Sequence, residues 1–212
     1  MTEIVEKRAR VARRQVDKFA ERRAQLATAA LDALAELGYA RTSLREIAQK
    51  SEFTHGLLHY YFSDKVELLT HAVQQYEAVC VTRYDEIVAA ATGADELRST
   101  FSDAMAGTLE SDAALHRLWY DLRNQGLFEE SFREDVVDID ARRERMIANV
   151  VVRYAELAES PLLISESMAY ATFDGLFQRA LLLHHSGAAD AVEGLRRDAA
   201  ALLDLTIGRH RG

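Results

Sequence analysis

The sequence predicts an all-α protein, and three observations carry that reading. A single proline in 212 residues leaves the backbone free to donate almost every amide, as long helices require. Apolar residues recur at steps of three and four, the spacing that places them on one helical face. Strand-like alternation, internal repeats and low-complexity tracts are missing from the sequence.

Residues 1–20 form a basic N-terminal extension with no clear amphipathic face, whose Arg8, Arg10, Arg13 and Arg14 would attract phosphate without reading sequence. Leu26, Ala27, Ala30, Leu31, Leu34 and Leu37 mark a first helix over 21–38, closed by Gly38. Ser43 with Glu46 fits a capping box for a short second helix whose buried face is Leu44, Ile47 and Ala48. The rhythm breaks at Ser51-Glu52. Thr54 then caps a third helix to about Tyr60, and Ser63 caps a fourth. Val66, Leu69, Val73, Tyr76, Cys80, Tyr84, Ile87 and Ala91 make one stripe, so this fourth helix is expected to run unbroken to Thr92-Gly93. Further helices are expected over 95–109, 112–125, 129–158, 162–186 and 189–208. The domain reading is an extension at 1–20, a helix-turn-helix at 21–65 and a larger helical domain at 66–212.

Charge is uneven along the chain. Residues 1–65 hold 12 Lys+Arg against 9 Asp+Glu, and residues 66–212 hold 14 against 25. All four lysines (Lys7, Lys18, Lys50 and Lys65) lie in the first part. That balance suits an N-terminal part that meets a polyanion and a remainder that does not. The lone Cys80 excludes an internal disulfide framework, and no Cys/His cluster has metal-ligand spacing. With no secretory signal and no apolar run near the ~18 residues of a membrane span, a cytoplasmic protein without a membrane partner is expected.

Two short helices joined by a tight turn and braced by a longer one make a helix-turn-helix, whose second helix enters the major groove. In that geometry Thr42 and Ser43 open the first helix toward phosphate. Arg45 sits in its first turn, where the helix dipole disfavours a cation, and so is expected to meet an outside anion. Thr54, His55 and Gly56 lead the inserting helix, His59 and Tyr60 offer hydrogen bonds to phosphates or base edges, and Lys65 offers a point charge to the backbone. Phe62, Leu58 and Ile47 close a small core, and Tyr61 is expected there with them.

The ordered set Gly38…Thr42-Ser43-Leu44-Arg45-Glu46-Ile47-Ala48…Phe53-Thr54-His55-Gly56-Leu57-Leu58-His59-Tyr60-Tyr61-Phe62-Ser63-Asp64-Lys65…Leu68-Leu69 resembles the N-terminal signature of the tetracycline-repressor (TetR) family over residues 24–70. The resemblance implies a homodimeric DNA-binding regulator, usually a repressor that a small molecule releases from its palindromic operator. Two positions depart from the family's pattern. Glu52 stands where glycine is common and would need glycine's conformation, and His59 stands where tyrosine is usual.

Beyond residue 92 there is no nucleophile, base and orienting group together, so no enzyme, catalytic residue, metal or cofactor is expected. Aromatic residues on apolar helices suit a pocket for an unidentified small-molecule effector, with Trp119, Arg123, Phe173 and Phe177 as its expected lining. Arg123 could meet a carboxylate ligand or a nearby acid such as Asp121 or Asp174. The last two helices are apolar over wide faces (Ala169, Phe173, Leu176, Ala180 and Leu183; Val192, Leu195, Ala199, Leu202 and Leu205). The resemblance implies a homodimer through them. The partners expected are thus a double-stranded DNA operator, a small-molecule effector and a second copy. The alternative is a helical small-molecule or protein-binding module with a degenerate helix-turn-helix.

Overall fold

The computed structural model describes residues 2–39 and 41–208, with side chains from residue 16 onward except at 132. Its helices are α1 (Thr2–Leu37), α2 (Leu44–Lys50), α3 (His55–Tyr61), α4 (Lys65–Cys80), α5 (Asp85–Ala90), α6 (Ala94–Gln125), α7 (Arg133–Leu157), α8 (Glu166–His185) and α9 (Ala191–Thr206). A short 3-10 turn, Glu130–Phe132, precedes α7. The only pairing of extended backbone among the described residues is an isolated antiparallel bridge between Leu162 and Ile207. The all-α expectation holds. No helix among the described residues is long and apolar enough to cross a membrane.

The chain divides into two compact units, Met1–Tyr76 and Glu77–Gly212, and the division falls inside α4. In the first unit Leu26, Ala27, Ala30, Leu34, Leu44, Ile47, Leu58 and Phe62 are buried. Each lies where helical spacing puts it. Gly38 ends α1 with φ +75, the left-handed conformation glycine adopts without cost, and its amide reaches Leu34 O at 2.8 Å. The second unit packs α6, α7, α8 and α9 around Leu97, Phe101, Leu109, Trp119, Val150, Val151, Phe173 and Leu203.

Four expectations are corrected. The first helix does not begin at residue 21: residues 2–37 form one helix, so the backbone of the extension continues α1. The side chains of Arg8, Arg10, Arg13 and Arg14 lie outside those described. The fourth helix does not run to residue 91. It ends at Cys80, a turn follows, and α5 restarts at Asp85. There Thr82 N and Arg83 N bond three residues back, to Val79 O and Cys80 O, and Arg83 is held by Thr108 and Asp112 of α6. The helices expected at 95–109 and 112–125 are one, α6, with non-helical backbone only at Asp112 (φ −120, ψ 17). Asp64, rather than Ser63, caps α4. Its carboxylate accepts from Glu67 N at 2.9 Å, while Glu67 reaches back to Ser63 N at 2.8 Å.

Candidate nucleic-acid interface and effector cavity

The first unit builds a polar ridge by caps and a closed core. Ser43 caps α2, accepting from Glu46 N at 3.3 Å as expected, while the Glu46 carboxylate accepts from the Ser43 hydroxyl at 2.9 Å rather than from the backbone amide that a capping box uses. Thr54 caps α3 by accepting from Leu57 N at 3.2 Å. Leu58 and Phe62 lie on the inner face of α3 and are buried. That fixes the rotation of the helix and turns His55, His59 and Tyr60 outward. Tyr60 is 73% exposed, and the two imidazoles stand edge to face with centroids 4.5 Å apart. An added Cβ on Gly56 would meet nothing within 4 Å, so packing inside the chain does not require glycine there.

The remaining expected contacts are distributed unevenly. Arg45 is exposed. Thr42 is buried, with its hydroxyl donating to Gly38 O at 2.6 Å, so that hydroxyl is turned inward to close the α1–α2 corner. Lys65 is half-buried, donating to Tyr39 O at 3.0 Å with Nζ 4.0 Å from the Tyr39 ring centre. Tyr61 is half-buried and packs on Phe19, centroids 4.7 Å apart, rather than in the small core. Glu52 does not take glycine's conformation; among the described non-glycine residues only Glu159 has positive φ.

Sequence reasoning missed two residues that shape this unit. Arg23 donates to Tyr61 O at 3.2 Å and to Glu67 at 2.7 Å, and lies over the Phe62 ring at 4.5 Å. It ties α1 to the end of α3 and the start of α4. The Ser63 amide bond, followed by the smaller effect of Arg23, holds the Glu67 carboxyl below its usual range. Arg22 lies 5.1 Å over the Phe53 ring and, with Gln25, Thr28, Glu52, Thr54 and Leu57, lines a shallow cleft beside α3.

The second unit holds a small cavity of about 50 Å³. Met105, Met146, Ile147, Phe173 and Phe177 give it an apolar wall, and Tyr120, Tyr170, Asp174, His116 and Arg143 give it polar points. Phe173 and Phe177, both expected as lining, are part of that wall. Trp119 and Arg123 do not line it. Trp119 is buried beneath the Arg143 guanidinium, 4.7 Å from its ring centre. Arg123 bridges Asp174 (2.5 Å) and Asp140 (3.1 Å), the acid pairing left open for it. Tyr120 donates to Asp174 Oδ1 at 2.9 Å and Tyr170 to Asp140 Oδ1 at 2.6 Å. Burial, reinforced by these carboxylates, pushes both phenols above their usual pKa. Burial likewise drives His116 well below its ordinary value, with Arg143 and Arg83 adding to the shift.

The polar point not foreseen is a buried ion pair. Arg143 of α7 gives Nε (2.8 Å) and Nη2 (2.5 Å) to the two oxygens of Glu77. Burial opposes the Arg143 charge, but Glu77 beside it outweighs the penalty and lifts the guanidinium above its ordinary range. Among the described residues no group of three or more His, Cys, Asp or Glu could hold a metal ion.

Residues 26–72 match the family model of bacterial regulatory proteins of the tetR family. Among curated proteins the chain has no match. Three solved structures share its fold. A TetR transcription regulator from Haloarcula marismortui is 17% identical, with 89% of this chain and 100% of that one covered, at a TM-score of 0.71. A TetR-family regulator from a Rhodococcus species is 20% identical over 88% and 98%, at 0.70. A transcriptional regulator from Saccharomonospora viridis, solved in complex with choline, is 16% identical over 90% and 100%, at 0.74.

Proposed function

We infer that this chain, which belongs to the tetR family of bacterial regulatory proteins, is a dimeric repressor that grips a near-palindromic operator and is released by a small molecule. Members of the family are DNA-binding regulators rather than catalysts. One observation carries the reading: α3 is locked by Thr54, Leu58 and Phe62 so that His55, His59 and Tyr60 face outward together. A solvated helix gains nothing from three such side chains; a groove of base edges and phosphates uses them all.

In this reading α3 lies in the major groove with Gly56 admitting close approach. His55, His59 and Tyr60 choose among sequences. Thr54 and Ser43 already serve as caps, so α2 meets phosphate chiefly through Arg45 and the amides of its first turn, which lack intrahelical acceptors. Thr42 acts by shaping the corner. Lys65 retains donors beyond the one given to Tyr39 and contacts the backbone. The effector occupies the cavity walled by Phe173 and Phe177, with Trp119 and Arg123 fixing its polar residues from behind.

The second copy packs against the outer face of α8 and against α9. Met168, Ala171, Thr172, Gly175 and Leu182 stand exposed at helical spacing on α8, and Leu205 is exposed on α9. Two recognition helices related by a two-fold axis then read two half-sites.

Selection of duplexes from a random pool with the full chain tests this. A near-palindromic consensus bound with steep salt dependence is the expected result. Recovery of unrelated sequences at equal affinity would reject it.

A further inference from the structure

Among the described residues lining the cavity, the one guanidinium is only partly engaged. Arg143 gives Nε and Nη2 to Glu77, and Nη1 lies outside that pair. Glu77 is wholly buried and Arg143 nearly so. Trp119 backs the guanidinium from one face. A pair this deep adds little stability over apolar side chains of the same volume. Its chemistry is that of a planar, permanently charged fork that accepts any carboxylate, with Glu77 as its present occupant.

The other charged groups at the cavity are differently placed. Asp174 has both oxygens engaged, by Tyr120 and by Arg123. Arg123 is held between Asp174 and Asp140. His116 lies against the Phe177 ring at 4.6 Å, in surroundings too buried for a charge. The acidic end is therefore closed by its own partners, while the basic end has a donor to spare.

We propose that the cavity takes a small carboxylic acid with an apolar body, whose carboxylate binds Arg143 and displaces Glu77. This rests on the reading of the cavity as the effector site. The acid's apolar part lies against Met105, Met146, Ile147 and Phe173. The exchange undoes the polar contact that ties the last turn of α4 to α7, because Glu77 is on α4 and Arg143 on α7. A buried carboxylate without its partner is strongly disfavoured, so Glu77 turns to solvent and carries the end of α4 with it.

Trp119 is the single tryptophan of the chain and touches Arg143, so its emission reports the exchange. The probes are benzoate, phenylacetate and hexanoate, each beside its neutral amide and an amine of the same length, titrated into the full chain. A saturable change with the acids and none with the amides or amines is expected. Glu77→Gln removes the competing charge but keeps the size and a hydrogen-bonding head. It should bind the acids about tenfold more tightly. A merely structural pair would leave acid affinity unchanged or lower it. If Glu77→Gln melts too low for titration, benzoate should raise its melting temperature and benzamide should not. Equal response to acids, amides and amines, or none to any of them, overturns the proposal. Binding to selected DNA is followed in the same samples. Protein that stays bound to DNA while responding to acids keeps this site and loses the effector reading. Protein released by amines but not acids keeps that reading and loses this site.

Discussion

His116 sits in α6 with its imidazole against Phe177, and burial, helped by Arg143 and Arg83, holds its pKa well below 6.5. The unfolded chain takes up this proton near pH 6.5, whereas the folded chain does so only at much lower pH. Stability tied to His116 is therefore complete above about pH 6.5 and falls as pH drops toward the folded value. The slope is about 1.4 kcal/mol per pH unit while one proton separates the two states. Urea unfolding at pH 7, 6 and 5 should show a smaller acid loss for His116→Gln than for the parent chain; parallel losses would place the sensitivity elsewhere. The Glu77–Arg143 pair makes a second prediction at this scale. Glu77→Ala alone should cost about 3–5 kcal/mol, while Glu77→Leu with Arg143→Met should return most of it. Denaturant midpoints measured for both variants decide it, and equal destabilisation by both would deny the pair its role as a mutual compensation. The pair could have been found in the sequence. Ile139, Arg143, Ile147 and Val150 step along one buried face of α7, and Glu77 lies between buried Val73 and Cys80 on α4. A search for apolar stripes passes over their charged members, and those members carry the polar chemistry.

The break between α4 and α5 shows what periodicity can and cannot say about an element. Leu69, Val73, Cys80, Tyr84 and Ala91 are all buried, so the stripe located the inner face correctly. Side-chain spacing is nonetheless blind to whether the backbone ladder continues beneath it. At Val81-Thr82 two β-branched residues weaken the helix, and Arg83 donates to Thr108 (2.6 Å) and Asp112 (2.5 Å), contacts made 25 and 29 residues away. Only tertiary structure supplies those partners. Arg83→Ala should destabilise the second unit by about 1–3 kcal/mol, because it removes the donor shared by half-buried Asp112 and buried Thr108. Chemical denaturation checks this, and a change within error would mean that the turn holds without Arg83. Local signals fared better where they act within four residues. Ser43 and Thr54 cap the helices assigned to them, while the α4 cap lies one residue on, at Asp64.

At the scale of the whole molecule, the first unit was legible in the sequence, because its core and its caps are local. The cavity of the second unit was legible only in part. Phe173 and Phe177 follow from the apolar face of α8, but Trp119 and Arg123 turn away toward partners on other helices that no spacing rule reveals. The same distinction refines the proposed dimer face. Ala180 is 5% exposed, on the inner side of α8, so Ala180→Arg should unfold the chain, whereas Leu182, 72% exposed, lies outside. Leu182→Glu is expected to yield folded monomers, since an unpaired charge in an apolar interface costs several kcal/mol. Sedimentation with circular dichroism separates the two outcomes, and a Leu182→Glu dimer would move the interface elsewhere. The central claim is that α3 reads DNA. It is tested most directly by repeating the selection from random duplexes with His55→Ala, Tyr60→Ala and Lys65→Ala, each first shown to be folded. The first two are expected to shift the preferred half-site, and Lys65→Ala to weaken every sequence alike while lowering the salt slope by about one. An unchanged consensus for both α3 variants would contradict it.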